Sequence, residues 1–436
     1  MEPTTAGPER ETFDYTPEEH AAASTGDYVF HQLIPYIGNK RKLLGLIGEA
    51  LARTGGTREG TFLDLFAGSG VVSRMAKRLG YRVLANDWEP YALELNRCAV
   101  ECSTPPPFTA LGGYQAAIQT LNTLPPAEGW VTRHLCPRDD RACDPRVERM
   151  FYTRANGMRL DAMREQVAQW ERDGLLDPAE RACLLAPMLY QASYTSNTSG
   201  VFKGFHHGWG GQTGTALYRI LSRLTLRPAL FHENGRENRV YRTDATALAR
   251  KLREERVEVD VAYLDPPYNQ HPYGSNYHVL NTVALWDHPS LSERIEGRNK
   301  AGIRLDWRTE RRSAYNHRGD AERAYRELLG ELEARWILTS YSTDGMIPLP
   351  KLLAACLERG RTEVVLRRYK RYRVSTQRYS RKPLNIELVA VIDTRRPHRG
   401  PSAEELCTQI RREEAAALSE HAGSPNVEES ERVKRG

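Results

Sequence analysis

Short continuous apolar runs recur along the chain, separated by longer stretches in which apolar residues return every three or four positions. Residues 61–66 (TFLDLF), 81–86 (YRVLAN), 259–264 (VDVAYL), 336–340 (WILTS) and 386–392 (IELVAVI) have the length and composition of buried strands. Residues 71–79 and 322–333 carry helical spacing between them. Strands alternating with helices predict an α/β fold built on a doubly wound, mostly parallel sheet. That rhythm breaks from about residue 102 to 235, where a proline-rich turn (Pro105 to Pro107), a helical patch at 161–172 and a glycine-rich segment near 200–214 follow one another. The break predicts an inserted, mainly helical region. The expected organisation is therefore a tail at 1–27, a first part of the core at 28–101, an insertion at 102–235, a second part of the core at 236–400, and a helical then disordered tail at 401–436. The polar, aperiodic residues 1–27 and the last residues, 423–436, read as disordered.

Composition narrows the class. Hydrophobic residues make up 40% of the 436, as in a globular domain. No apolar run approaches the roughly 18 to 20 residues that span a bilayer. The N-terminus has neither the basic start nor the apolar stretch of a signal peptide, so a cytoplasmic location is expected. Seven cysteines do not suggest a disulfide framework. Cys98, Cys102, Cys136 and Cys143 match no common zinc-ligand spacing, and no metal site is expected. The net charge is +6, and of 62 basic residues only 10 are lysine. Arginine suits phosphates and guanine edges, although a GC-rich genome would produce the same bias.

Two sites carry chemistry. Asp64-Leu65-Phe66-Ala67-Gly68-Ser69-Gly70 closes the first strand and opens a helix, where glycines let backbone N–H groups approach a ligand. The third glycine of the dinucleotide fingerprint would fall at Ser73, which disfavours a nicotinamide cofactor. Asp87, at the tip of the next strand, stands where a carboxylate accepts from ribose hydroxyls. Upstream, residues 36–42 (YIGNKRK) place Tyr36 and Lys40 around a glycine turn, and Lys40 could pair with a ligand carboxylate.

The second site is Asp265-Pro266-Pro267-Tyr268, at the end of the run VDVAYL. Successive prolines fix the backbone and remove two N–H donors, leaving carbonyl oxygens free to accept. A carboxylate beside such a carbonyl makes a paired acceptor for an –NH2 group, and the tyrosine can stack on a planar base. Tyr273, Asn276 and Tyr277, just beyond, are candidates to close the pocket. Two further stretches suit nucleic acid. Residues 367–382 hold Arg367, Arg368, Lys370, Arg371 and Arg373 among eight basic residues and no acid, and their alternation suggests a hairpin with one basic face. Residues 197–211 join glycines to Lys203, His206 and Trp209 in a loop expected to face DNA.

Phe66 to Gly70 together with Asp265 to Tyr268 resembles the amino-methyltransferases, specifically the D12 class of adenine-specific DNA methyltransferases. Residues 36–42 resemble that family's N-terminal cofactor motif, Asn86-Asp87 its ribose-binding motif, and the segment ending in Asp244 the one whose aspartate contacts the cofactor's adenine. The order of motifs is similar to the α arrangement, in which the long insertion holds target recognition. The resemblance implies a Rossmann-like class I methyltransferase core, S-adenosylmethionine as cofactor, double-stranded DNA as substrate, a flipped-out adenine methylated at N6, and a cognate restriction endonuclease or defence system as a possible partner. It assigns Asp265, Pro266, Pro267 and Tyr268 to catalysis, and Tyr36, Lys40, Asp64, Phe66, Gly68, Ser69, Gly70, Asp87 and Asp244 to the cofactor. An RNA adenine methyltransferase, an N4-cytosine enzyme and a catalytically silent DNA-binding module stay open as alternatives.

Overall fold

The computed structural model describes residues 27–55, 59–211, 214, 216–370 and 384–422. Seven strands form one sheet: β1 (Thr61–Asp64), β2 (Arg82–Asn86), β3 (Arg239–Tyr241), β4 (Val261–Leu264), β5 (Trp336–Ser342), β6 (Arg361–Lys370) and β7 (Leu384–Asp393), in the order β3-β2-β1-β4-β5-β7-β6. The pairings from β3 across to β5 are parallel, whereas β7 runs antiparallel to both β5 and β6. The five apolar runs became strands within a residue or two at most ends. β3 is short, polar and partly exposed, and β6 begins in alternating arginine and glutamate, so neither stands out as a buried run.

Alternate strand residues supply the two faces, as the twofold period of a strand requires. Phe62, Val83, Val261, Leu338 and Val389 pack under α1 (Leu44–Ala52) and α2 (Val71–Arg78). Leu63, Leu84, Ala262, Ile337 and Leu388 point the other way. They meet α6 (Ala245–Glu254), α8 (Ala321–Glu331), α9 (Leu349–Arg359) and the C-terminal α10 (Ala403–Ala422), numbering the principal helices in chain order.

The insertion is helical, with α4 (Arg154–Arg172) and α5 (Pro178–Tyr194) as its long members. Thr153 caps α4, and Asp177 with Glu180 forms a capping box on α5, satisfying N–H groups that a helix start leaves open. Its apolar side chains share one cluster with α3 (Pro90–Asn96) and α7 (His278–Leu285), so the insertion is fused to the sheet layer through those helices. All seven cysteines are free thiols. Cys102 Sγ lies 3.8 Å from Cys183 Sγ of α5.

Candidate active site

Parallel strands leave ligands at their carboxyl ends, at the point where strand order reverses. Here that point lies between β1 and β4, which are direct neighbours. Both sequence motifs therefore sit side by side at the carboxyl ends of adjacent strands.

On the β1 side, Gly68 and Gly70 adopt φ of +52° and +82°, the left-handed region. A side chain would not fit at either. A Cβ on Gly68 would stand 2.8 Å from Tyr36 Cε1, and one on Gly70 would stand 2.5 Å from Asn96 Oδ1. Asp87 braces the turn by accepting from the Gly68 N–H at 2.8 Å and from the Glu89 N–H at 2.9 Å. Asn96 donates to the Gly68 carbonyl at 3.1 Å from α3. Asp64 accepts from the Ser73 hydroxyl at 2.6 Å, while its other oxygen, Oδ1, is buried with no partner in the structure. Burial pushes its carboxyl up to about 7, against the pull of Ser73. An unpartnered buried acceptor beside a glycine cradle fits a ligand with polar hydrogens. Phe66 meets Tyr315 edge-on at 5.5 Å, and Ser69 is buried in the turn. Asp244 is exposed at the end of β3, where Oδ1 caps α6.

Gly68→Ala is expected to lose at least about tenfold in affinity for a ligand bound at this turn. It should also destabilise the fold by about 2–3 kcal/mol, because the left-handed backbone and the locked Tyr36 ring leave the methyl group no room. Calorimetric titration and thermal melting check the two effects.

On the β4 side lies Asp265. Lys40 Nζ stands 2.8 Å from Asp265 Oδ1 and donates to the Gly38 carbonyl at 3.2 Å. Lys40 is thus aimed at the Asp-Pro-Pro-Tyr element. Burial alone would release its proton, but the Asp265 carboxylate overrides this and holds the amine more basic than usual. Burial raises Asp265, and Lys40 opposes the rise. Pro266 is buried, Pro267 half-buried, and the Tyr268 ring lies 5.2 Å from the ammonium, braced edge-on by Tyr341 at 6.1 Å.

The loop beyond is built inward. Tyr36, Tyr273 and Tyr277 form a cluster of near-parallel rings, Tyr36 lying 5.0 Å from Tyr273 and 4.9 Å from Tyr277, and those two 6.1 Å from each other. The Tyr273 hydroxyl donates to the Ile37 carbonyl, and the Tyr277 hydroxyl accepts from the Ile37 N–H. Tyr277 is fully buried, and Asn276 is buried with its carbonyl accepting from Phe202 N–H at 2.7 Å. Both side chains are buried, and the Tyr277 hydroxyl together with the Asn276 backbone carbonyl pins residues 36–38 and the glycine-rich segment to the catalytic loop. That segment is organised around buried Asn197, which donates to the Met150 and His206 carbonyls. Trp209 turns inward and donates to the Asp140 carbonyl at 2.9 Å. Lys203 and His206 are half-buried, with Lys203 3.4 Å from His271.

Residues 367–370 of the basic stretch end β6, which pairs antiparallel with β7. Residues 371–383, with Arg371 and Arg373, lie outside the described residues, as does the Lys370 side chain. The expected single basic face does not hold for the pair inside β6. Neighbouring strand residues point to opposite faces, so Arg367 lies over Gly45 of α1 while Arg368 pairs with Glu413 and Glu420 of α10.

Sequence reasoning passed over three residues. Asn96 and Tyr315 act only through the fold, from α3 and from the loop before α8. Glu387 sits 4% exposed on β7, among the charges around Lys40 and Asp265. A glutamate inside an otherwise apolar strand was its available signal. Among the described residues no cluster of histidine, cysteine and carboxylate side chains could hold a metal, and no helix is long and apolar enough to cross a membrane.

Asp87 and Asp265, just past the carboxyl ends of β2 and β4, thus flank the β1 glycine turn at the switch point of one sheet. The chain belongs to the D12 class N6 adenine-specific DNA methyltransferase family, whose model matches residues 36–312. It is 30% identical over 346 residues to the type II methyltransferase M.NlaIII of Neisseria lactamica, covering 78% of this chain and 92% of that protein. Similarity to M.CviAII of Paramecium bursaria Chlorella virus 1 is 28% over 344 residues, 78% of this chain and 93% of that one. M.FokI of Planomicrobium okeanokoites is 29% identical over 347 residues, and the match spans 80% of this chain but 50% of that longer protein.

Proposed function

We propose that the chain methylates the N6 amino group of an adenine flipped out of duplex DNA, within one short recognition sequence, using S-adenosylmethionine. The observation that carries this reading is Asp265 at the carboxyl end of β4, held by Lys40 across the crevice from the β1 glycine turn. In the proposed site, Asp87 would hold the ribose hydroxyls, the unpartnered Asp64 oxygen the donor's amino group, and Asp244 the adenine. When bound, the sulfonium supplies an activated methyl group with its own leaving group.

The chain's residues do the rest. An exocyclic adenine nitrogen is a poor nucleophile because its lone pair is delocalised into the ring. Asp265 and the Pro266 carbonyl accept its two hydrogens, favouring a pyramidal nitrogen with an available lone pair. Tyr268 stacks on the base, which must leave the helix to reach the crevice. Positioning and fixed charge carry the rate. Residues 102–235 read the target, and the basic β6–β7 hairpin holds the backbone. A cytoplasmic enzyme paired with a restriction endonuclease is the setting suggested by relatives named type II methyltransferases.

Modification-sensitive sequencing of DNA from cells expressing the chain is expected to find N6-methyladenine confined to one short motif. Modified cytosine alone, or methylated RNA with unmarked DNA, would refute the assignment.

A further inference from the structure

We propose that two lysine–histidine pairs, Lys203 with His271 and Lys300 with His207, form a track for the phosphates of duplex DNA beside the catalytic loop. The inference deepens the reading of duplex DNA as the substrate and rests on it.

Each pair joins nitrogens from segments far apart in sequence. Lys203 Nζ lies 3.4 Å from His271 Nδ1, and His271 follows Tyr268 by three residues. Lys300 Nζ contacts His207 Nε2 and lies over the Phe205 ring, 5.4 Å from its centre. Lys203 and His207 belong to the same glycine-rich segment of the insertion, whereas His271 and Lys300 both follow the Asp-Pro-Pro-Tyr element. The loop carrying Lys300 is fastened to the insertion. Arg149, fully buried, donates to the carbonyls of His134, Ser292, Asn299 and Lys300 at 2.7 to 3.2 Å. The Ile295 N–H donates to the Val147 carbonyl at 2.9 Å, and the Trp130 indole to that of Pro289 at 3.1 Å. The backbone of Lys300 is therefore held against the insertion, although it comes from the other side of the catalytic motif in sequence.

The chemistry of the pairs points to an anion. An ammonium can donate to an imidazole only while the ring is neutral, and a proton taken up by the ring sets two cations in contact. Among the described residues no carboxylate pairs with any of the four side chains, the loop's own Glu293 and Glu296 included. Both histidines are exposed and both lysines half-buried, so the pairs are open to solvent. A phosphodiester oxygen set against each pair accepts from both nitrogens and supplies the missing negative charge. A base that reaches Tyr268 brings its own phosphates close to residues 269–271, and the Lys203–His271 pair meets them there. The Lys300–His207 pair continues the contact along the insertion.

The test is duplex binding and single-turnover methylation by the full chain, comparing wild type with Lys203→Gln and Lys300→Gln. Each change removes a charge and keeps a polar side chain of similar reach. Binding is followed by the anisotropy of a short fluorescent DNA duplex over a series of salt concentrations. Each variant should bind the duplex about tenfold more weakly, and its slope of log affinity against log salt should fall by about one. The rate at saturating DNA and the KM for donor should stay within about threefold. Lys203→Arg and Lys300→Arg keep the charge and should hold the wild-type slope, which serves if a glutamine variant melts early. Arg323→Gln, which removes an exposed charge on α8, should leave affinity and slope unchanged. Folded Lys203→Gln and Lys300→Gln with wild-type affinity and slope overturn the inference. So does weaker binding with an unmoved slope, because that marks lost packing and not a lost phosphate contact. Slopes that fall as expected in an enzyme that marks cytosine support the track and refute the adenine assignment. Wild-type protein that does not bind duplex DNA overturns both.

Discussion

Asp265→Ala is expected to lower the rate of methyl transfer at least about a thousandfold, whereas Asp265→Asn should retain a measurable rate, lower by roughly ten- to a hundredfold. The distinction follows from what each side chain leaves in the crevice. Alanine removes an acceptor for the amine and leaves the Lys40 ammonium, 3% exposed, without its carboxylate. Asparagine keeps an acceptor oxygen at the same reach and loses only the charge. Donor binding should be little affected in either variant, because the β1 turn, Asp87 and Asp64 lie on the other side of the crevice. Radiolabelled methyl transfer to duplex DNA under single turnover, with donor affinity measured by titration, separates the two effects. Equal and complete loss in both variants would mean that negative charge, and not acceptor geometry, is what the reaction requires.

How far the sequence could be read depended on whether a residue's role is local. The glycine turn and the Asp-Pro-Pro-Tyr element are written in consecutive residues, since backbone conformation there is set by glycine and proline themselves. The strands bearing them are buried on both faces and read as unbroken apolar runs. β3 and β6 lie at the two edges of the sheet, where partial exposure admits polar residues and erases that signal. Lys40 was found from its glycine turn, but its pairing with Asp265 was not legible, because that distance depends on how residues 36–42 cross the sheet. Tyr277 and Asn276 looked like pocket residues by position along the chain. Their burial follows from the insertion docking Phe202 against them, a contact between segments far apart in sequence. The single basic face expected of the hairpin fails at Arg367 and Arg368 for a simpler reason, because adjacent residues of a strand cannot share a face.

Lys40→Met carries the second large effect, and it separates the two roles that the lysine could play. Were the ammonium a clamp for a donor carboxylate, its loss would raise the donor KM and spare the rate at saturation. The structure sets it against Asp265 and the Tyr268 ring, so the saturated rate should fall at least about a hundredfold while donor KM stays within about threefold. Stability responds as well. Removing one member of a buried ion pair strands the other, and Lys40→Met should cost about 3–5 kcal/mol. Asp265→Ala should cost a similar amount for the reciprocal reason. The double variant Lys40→Met/Asp265→Ala removes both members of the pair, so neither is left without its partner. It should be destabilised by clearly less than the two single changes combined, and a double-mutant cycle from denaturant unfolding reads that coupling directly. Additive effects in the cycle would show that the pair contributes nothing as a pair, and Lys40 would then have to act on the donor side of the crevice after all.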